Sequence, residues 1–396
     1  MTARRRRRLA PFIVAIAIAV AASVLGASQG SVAQFGDAGR VQSSVAAVDS
    51  VPLSFVGIDA GENYSMGWTA AGEIFTWGGN SGGQLGNGSV GGSRLVPEMV
   101  MLPPGVEVVK ADGGLDTVIA LAADGGVYTW GNGAISGTSP TPSRNAFFDS
   151  LGDPVVGVSS GGYYYLAWTE SGALYSWGTG GSGRLGRPAT GQSPPARVTA
   201  QGLDTQVVVG AAAGRFQGIA SVDGGAVTVA WGSGFGTAAG VTLTGITSTV
   251  GGVAAGTDVV LAWGQDGSLF SATSAAASVV VGATGIVGAD ASFPAAGSSS
   301  FYAWRADGAL FAWGDNSQGQ LGLGITGGSV PSPTPVTLAP GSVALQTGAG
   351  ADHALYLGQD GTFSSAGSNA FGQLGTGDTI PRNTFGSAIT ILRWPQ

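Results

Sequence analysis

Apolar residues in this chain gather in short runs of strand length, separated by turns built on glycine. Tyr163 to Trp168 and Ala173 to Trp177 are two such runs, rich in aromatic and aliphatic side chains and joined by Glu170-Ser171-Gly172. Runs of this length around a glycine turn predict a pair of antiparallel strands. A further apolar stretch, Val155 to Ser159, precedes the pair, and a Pro-Val segment such as Pro335-Val336-Thr337 follows a longer connection. The unit therefore reads as four strands, a small sheet with two apolar faces to cover.

The unit recurs. Aligned on Trp-Gly, the chain gives seven equivalent positions, Trp77, Trp130, Trp177, Trp231, Ala272, Trp313 and Ala366, spaced 41 to 54 residues apart. Sixteen residues earlier stand Gly61, Gly114, Gly161, Gly256, Gly297 and Gly350, and Gly214 takes the same place with one extra residue before Trp231. Five residues before the Trp position comes another glycine, often after Asp as in Asp266-Gly267 and Asp360-Gly361, which is a hairpin signature. Trp68, Trp168, Trp263 and Trp304 recur nine residues before the main position, as a second packing layer, and Trp394 lies outside the pattern. Small two-faced sheets are covered only by stacking on one another, and radial stacking closes a ring. The predicted fold class is all-β: a seven-bladed β-propeller of four-stranded antiparallel blades over residues 48–396.

Two segments make the pattern specific: Gly350-Ala351-Asp352-His353-Ala354-Leu355, and the stretch from Trp313 to Gly322, which reads Trp-Gly-Asp-Asn-Ser-Gln-Gly-Gln-Leu-Gly. Both resemble the regulator-of-chromosome-condensation repeat. Gln84-Leu85-Gly86, Arg184-Leu185-Gly186 and Gln373-Leu374-Gly375 repeat the signature, and the second, fourth and fifth units have lost it. The resemblance implies a seven-bladed propeller and a structural role for the histidine. It also brings guanine-nucleotide exchange on a small GTPase, the founding nuclear member's activity, which export and acidity argue against here.

Composition narrows the function classes. Arg4 to Arg8 precede an apolar stretch from Leu9 to Leu25, and Ser31-Val32-Ala33 places small residues where a signal peptidase cuts. Residues 1–33 are expected to be a signal peptide or an uncleaved membrane anchor, followed by a short linker over 34–47. This puts the body outside a bacterial cell, with a composition suggesting a high-GC Gram-positive source. Beyond residue 33, 11 basic face 23 acidic residues, a net charge of −12 with Lys110 the single lysine. Such a body cannot neutralise a phosphate backbone, which excludes nucleic acid as the main ligand. Zero cysteines exclude disulfides and thiolate chemistry. Glycine, at 72 of 396 residues, reports turns.

No catalytic set assembles from the residues, and no cofactor or metal is expected. His353 is the single histidine, and its equivalents, Tyr64, Thr117, Tyr164, Gln217, Val259 and Ser300, share no acid–base chemistry. One histidine without cysteine lacks the ligand spacing of a zinc site. Gly79-Asn80-Ser81-Gly82-Gly83 and the Gly178–Gly183 stretch match nucleophile-elbow and dinucleotide patterns, but both fall in repeat turns. Binding is expected from the segments after Trp-Gly, residues 87–105, 135–153, 187–206 and 324–341. These supply Arg144, Phe147, Phe148, Arg187 and Arg197 as candidate contacts, since arginine and aromatics anchor interfaces. The expected function is an exported propeller recognising an extracellular or envelope protein through loops on one face. The alternative is a carbohydrate-active envelope enzyme or glycan binder, with Asp112, Asp116 and Glu170 the first acids to test.

Overall fold

The computed structural model describes residues 51–133, 137–292, 294, 299–386 and 392–393. The predicted signal or anchor and its linker, Gly297 and Trp394 lie outside them. The compact unit spans Asp49–Gln396. It is a seven-bladed propeller: six four-stranded sheets and, among the described residues, one three-stranded sheet, each with its strands in chain order.

The first strand of every blade is innermost: Phe55–Ala60, Val108–Gly113, Val155–Ser160, Val208–Ala213, Val250–Ala255, Ile286–Ala291 and Ala344–Ala349. Residues of these strands line a central cavity. The outermost strands, Ser93–Met99, Gly137–Arg144, Gln192–Arg197 and Ser329–Pro335, occupy much of the four segments expected to be loops. They are polar and proline-rich because an edge strand has only one partner to bond and little to bury. Blade 5 has the shortest outer strand, Ser278–Val279. The extra residue of the fourth unit is absorbed in a one-turn 3-10 segment, Asp223–Gly225, at the hairpin.

No single core exists. Seven buried clusters each lie between two neighbouring blades. The last joins Leu53, Phe55 and Trp77 of blade 1 to Leu355, Leu357 and Phe363 of blade 7. Beside it Val51–Pro52 pairs antiparallel with Leu392–Arg393. Both ends of the described chain thus close the ring.

Two glycine positions show why the repeat is constrained. A Cβ on Gly61 would run into the carbonyl oxygen of Gly114; the same holds for Gly114 against Gly161, Gly161 against Gly214, and Gly214 against Gly256. The innermost turns therefore stack backbone on backbone from blade to blade. The glycine after each Trp position has φ between 93° and 109° at Gly78, Gly131, Gly178, Gly232, Gly314 and Gly367, a conformation other residues adopt at a cost. In blades 1 to 4 and 6 it also sits at a register shift between the third and fourth strands.

A second bulge is common to all seven blades. In each inner strand the register shifts between the first and third residues, as at Phe55/Gly57 and Val108/Lys110. A bulge sets two residues against one and re-aims the extra side chain. At that second position stand Val56, Val109, Val156, Val209, Val287 and Leu345, all 43–52% exposed, with Gly251 in blade 5.

Candidate binding surfaces

The structure places one of the five sequence-predicted contact residues, Arg187, within blade 3 against Ser176, on the side of Leu185. It gathers the other four, Arg144, Phe147, Phe148 and Arg197, at the junction of blades 2 and 3, mostly around Tyr175. Phe147 and Phe148 pack edge-on to its ring at 5.5 and 5.9 Å, and Arg197 lies 5.5 Å from its centre. Each arginine is engaged by the propeller itself, although Arg197 Nε is buried without an acceptor. Arg144 pairs with Asp124 and Asp149 at 2.7 and 2.9 Å. Arg187 donates to the carbonyls of Ser176 and Pro194, and Arg197 to that of Asp204. Phe148 is buried against Trp177. This cluster covers the end of a seam, and Phe147, Arg187 and Arg197 remain partly open to solvent.

His353 is fully buried at the seam between blades 7 and 1, 2.7 Å from Ser65 Oγ. Ser65 donates its proton to the Gln373 carbonyl at 2.8 Å, so it accepts from His353 Nε2. Burial pushes the imidazole down to about 3, which keeps it neutral. The equivalent side chains make the same blade-to-blade link: Tyr64 OH to the Thr117 carbonyl at 2.6 Å, Tyr164 OH to that of Gln217 at 2.6 Å, Gln217 Nε2 to that of Gly256 at 2.8 Å. Three residue types at four positions do one job. The tryptophans add a second link, with Trp77, Trp130 and Trp231 Nε1 donating to the carbonyls of Gln373, Gln84 and Arg184 in the preceding blade.

The recurrent glycines, tryptophans and Gln-Leu-Gly turns coincide with a known repeat. The regulator of chromosome condensation (RCC1) repeat matches residues 71–121, 171–220 and 307–357. The propeller carries RCC1 repeats in those three stretches. Human regulator of chromosome condensation is 34% identical over 172 residues, 41% of this chain and 40% of that protein. The human E3 ubiquitin-protein ligase HERC2 is 32% identical over 185 residues, 45% of this chain and 4% of that protein. The match thus spans less than half the length of these curated relatives. Among solved structures, human WBSCR16 superposes with a TM-score of 0.65 at 21% identity, covering 80% of this chain and 93% of that one. Prp20p of Saccharomyces cerevisiae, studied for its binding to Gsp1p and histones, gives 0.64 at 20% identity, covering 75% and 80%. These likenesses show the fold.

Inside the ring the inner strands enclose a cavity of about 570 Å³. Three of them carry an aspartate at the fifth position, Asp290, Asp59 and Asp112 in blades 6, 1 and 2. Each stitches its blade to the next: Asp59 accepts from Gly113 N–H at 2.7 Å, Asp112 from Ser160 at 2.9 Å, Asp290 from Ala349 at 3.0 Å. Ser159 does the same for Ala213 at 3.1 Å. Blades 4, 5 and 7 have Ala212, Ala254 and Gly348 there. Burial raises all three carboxyls, Asp112 to about 7 and Asp290 to about 6, with backbone donors opposing. Lys110 pulls Asp112 the other way, and its ammonium lies 5.1 Å from the centre of the Trp168 ring. Sequence reasoning named Asp112 only as a candidate acid and missed the arc, although Asp59 and Asp112 each stand two residues before an aligned glycine. Among the described residues no three potential ligands gather as a metal site.

On the face carrying the innermost turns, one RCC1 turn departs from the others. At the first junction Gln84 Nε2 donates to Asp116 at 2.9 Å, with Ser81 on the same oxygen. At the third, Arg184 stands in place of Gln84 and Phe216 in place of Asp116. Arg184 and Arg215 lie 5.0 and 4.8 Å from the centre of the Phe216 ring. Comparing Asp116 with Phe216 across aligned repeats was the signal that could have found this.

Proposed function

We propose that this chain is an exported propeller that binds a protein partner at the mouth of its central channel. The observation that supports this most is the aliphatic ring. Six blades expose a valine or leucine at one register position of the inner strand, held by the shared bulge, and three of them, Val56, Val109 and Leu345, line the central cavity. Covering clustered exposed apolar groups drives protein association. Exposing six of them without a partner only weakens solubility. Export rests on the Arg4–Arg8 and Leu9–Leu25 pattern, which makes the partner an extracellular or envelope protein. Protein binding by yeast Prp20p, a propeller of the same fold, is consistent with the same use.

The test is affinity capture from envelope and secreted fractions with the full-length protein, beside a variant carrying Val56→Gln, Val109→Gln and Leu345→Gln. A partner retained by the native protein and lost by the variant, with both equally folded by circular dichroism, is the expected result. Retention unchanged by the variant, or nothing above bare resin, overturns the reading.

A further inference from the structure

We infer that Arg184, Arg215 and Phe216 form a receptor for a single carboxylate, an aspartate or glutamate side chain of an acidic peptide segment. The proposal takes its partner class from the protein-binding reading above, but its measurement does not depend on it.

The argument starts from charge accounting. The ion pairs among the described residues engage Arg94, Arg144, Arg305 and Arg382. Among the described residues Arg184 and Arg215 have no ion-paired carboxylate, as is also true of Lys110, Arg187 and Arg197, but only Arg184 and Arg215 stand as two such cations around one ring, that of Phe216. Arg184 is only 7% exposed, and its one hydrogen bond runs from Nε to the Gly181 carbonyl at 2.8 Å. Arg215 donates Nη1 to the Pro294 carbonyl, and its buried Nε has no acceptor. Burial, and then the neighbouring Arg215, lower the Arg184 guanidinium from its ordinary range. Two like charges held around one ring with donors unspent are costly, and an incoming anion removes that cost.

The comparison within the molecule identifies the missing group. The neutral Gln84 has a carboxylate, Asp116, in the next blade. Arg184, already charged, meets Phe216, so the propeller withholds the acid from the very turn that became cationic. A guanidinium edge takes a carboxylate through two parallel hydrogen bonds, and the Phe216 ring offers an apolar surface to the aliphatic stem.

The experiment titrates full-length protein into a fluorescein-labelled hexaglutamate peptide at about 150 mM salt, where long-range repulsion is screened. Saturable binding is expected, weakened at least about tenfold by Arg184→Gln with Arg215→Gln, and by Phe216→Asp, which supplies the acid internally. Arg184→Gln alone restores the residue found at Gln84, Gln320 and Gln373, so it keeps a foldable control if the double variant fails. Absence of saturable binding, or equal binding by all variants, overturns the proposal. Displacement by inorganic phosphate, and not by chloride of matched ionic strength, overturns it in favour of a small-oxyanion site. A failed titration leaves capture at the aliphatic ring unaffected, and the reverse holds as well.

Discussion

The seam between blades 3 and 4 and the seam between blades 4 and 5 share one blade and differ in nearly everything that faces it. The first packs Tyr164, Leu174, Leu185 and Leu203 around Trp231 and is stitched by the Tyr164 hydroxyl and the Trp231 indole. The second brings Ile219, Phe235 and Leu243 against Ala255, Val260 and Ala272. Its tryptophan position is alanine, the link made by the Tyr164 hydroxyl passes to the Gln217 amide, which donates to the Gly256 carbonyl, and the next blade's outer strand has shrunk to two residues. What both retain is the innermost layer, the glycine turn resting on the next glycine carbonyl. The repeat tolerates erosion from outside inward, because the inner turn is held by backbone geometry that no side chain can replace.

The largest test of that contrast is at the tryptophan position. Trp231→Ala should cost about 3–5 kcal/mol in urea unfolding, through the cavity and the Arg184 carbonyl left without its donor. At the corresponding place in blade 5, Ala272→Gly should cost about 0.5–1 kcal/mol. Comparable losses at the two positions would break the comparison.

A second test divides the channel wall by pH. Asp59, Asp112 and Asp290 hold protons in the folded state that the unfolded chain releases from about pH 4 upward, since Asp112 is pushed to about 7. More protons bound when folded means stability falls as pH rises through this window and levels off above about 7. Two groups act with opposite sign: His353, held down to about 3 by burial, lowers stability as pH falls below about 6.5, where three raised carboxyls outweigh one imidazole, and Asp378, held low by Arg382, does so only below about pH 4. The melting temperature should therefore rise between pH 7.5 and pH 5. Asp290→Asn should flatten part of that slope, by about 1–2 kcal/mol over the window after allowance for channel water. A melting temperature that drops over the same range contradicts the carboxylate arc.

The smallest effect belongs to the outer rim. Arg144→Ala breaks two half-exposed ion pairs and should cost roughly 0–1 kcal/mol by urea unfolding. A loss as large as that of Trp231→Ala would mean that the rim carries the ring.

Much of the inner layer was legible in the chain because it is written in glycine. Gly61 and its equivalents recur since a Cβ has nowhere to go, and the Trp-Gly glycines recur since their φ is positive. The repeat pattern places the fourth strand at Pro335-Val336-Thr337, and the strand lies earlier, at Ser329–Pro335, in a segment that reads as loop because its three prolines and lack of a buried face give no apolar alternation. The candidate sites were harder still. Arg144, Phe147, Phe148, Arg187 and Arg197 are the residue types interfaces use, but what holds them is visible only once Tyr175 and Ser176 stand beside them. The aspartate arc and the Arg184–Phe216 exchange are relations between blades, and no single repeat contains them.

The closing seam has a consequence in time. Ser65 and His353 meet across 288 positions, and Leu53 and Phe55 find Leu355 and Phe363 over similar separations. Contacts that distant form late, after the local hairpins have paired. Until the seventh blade arrives, Phe55 and Trp77 present an uncovered hydrophobic wall, so a chain interrupted before His353 keeps a sticky, aggregation-prone edge. The ring is therefore its own completeness check.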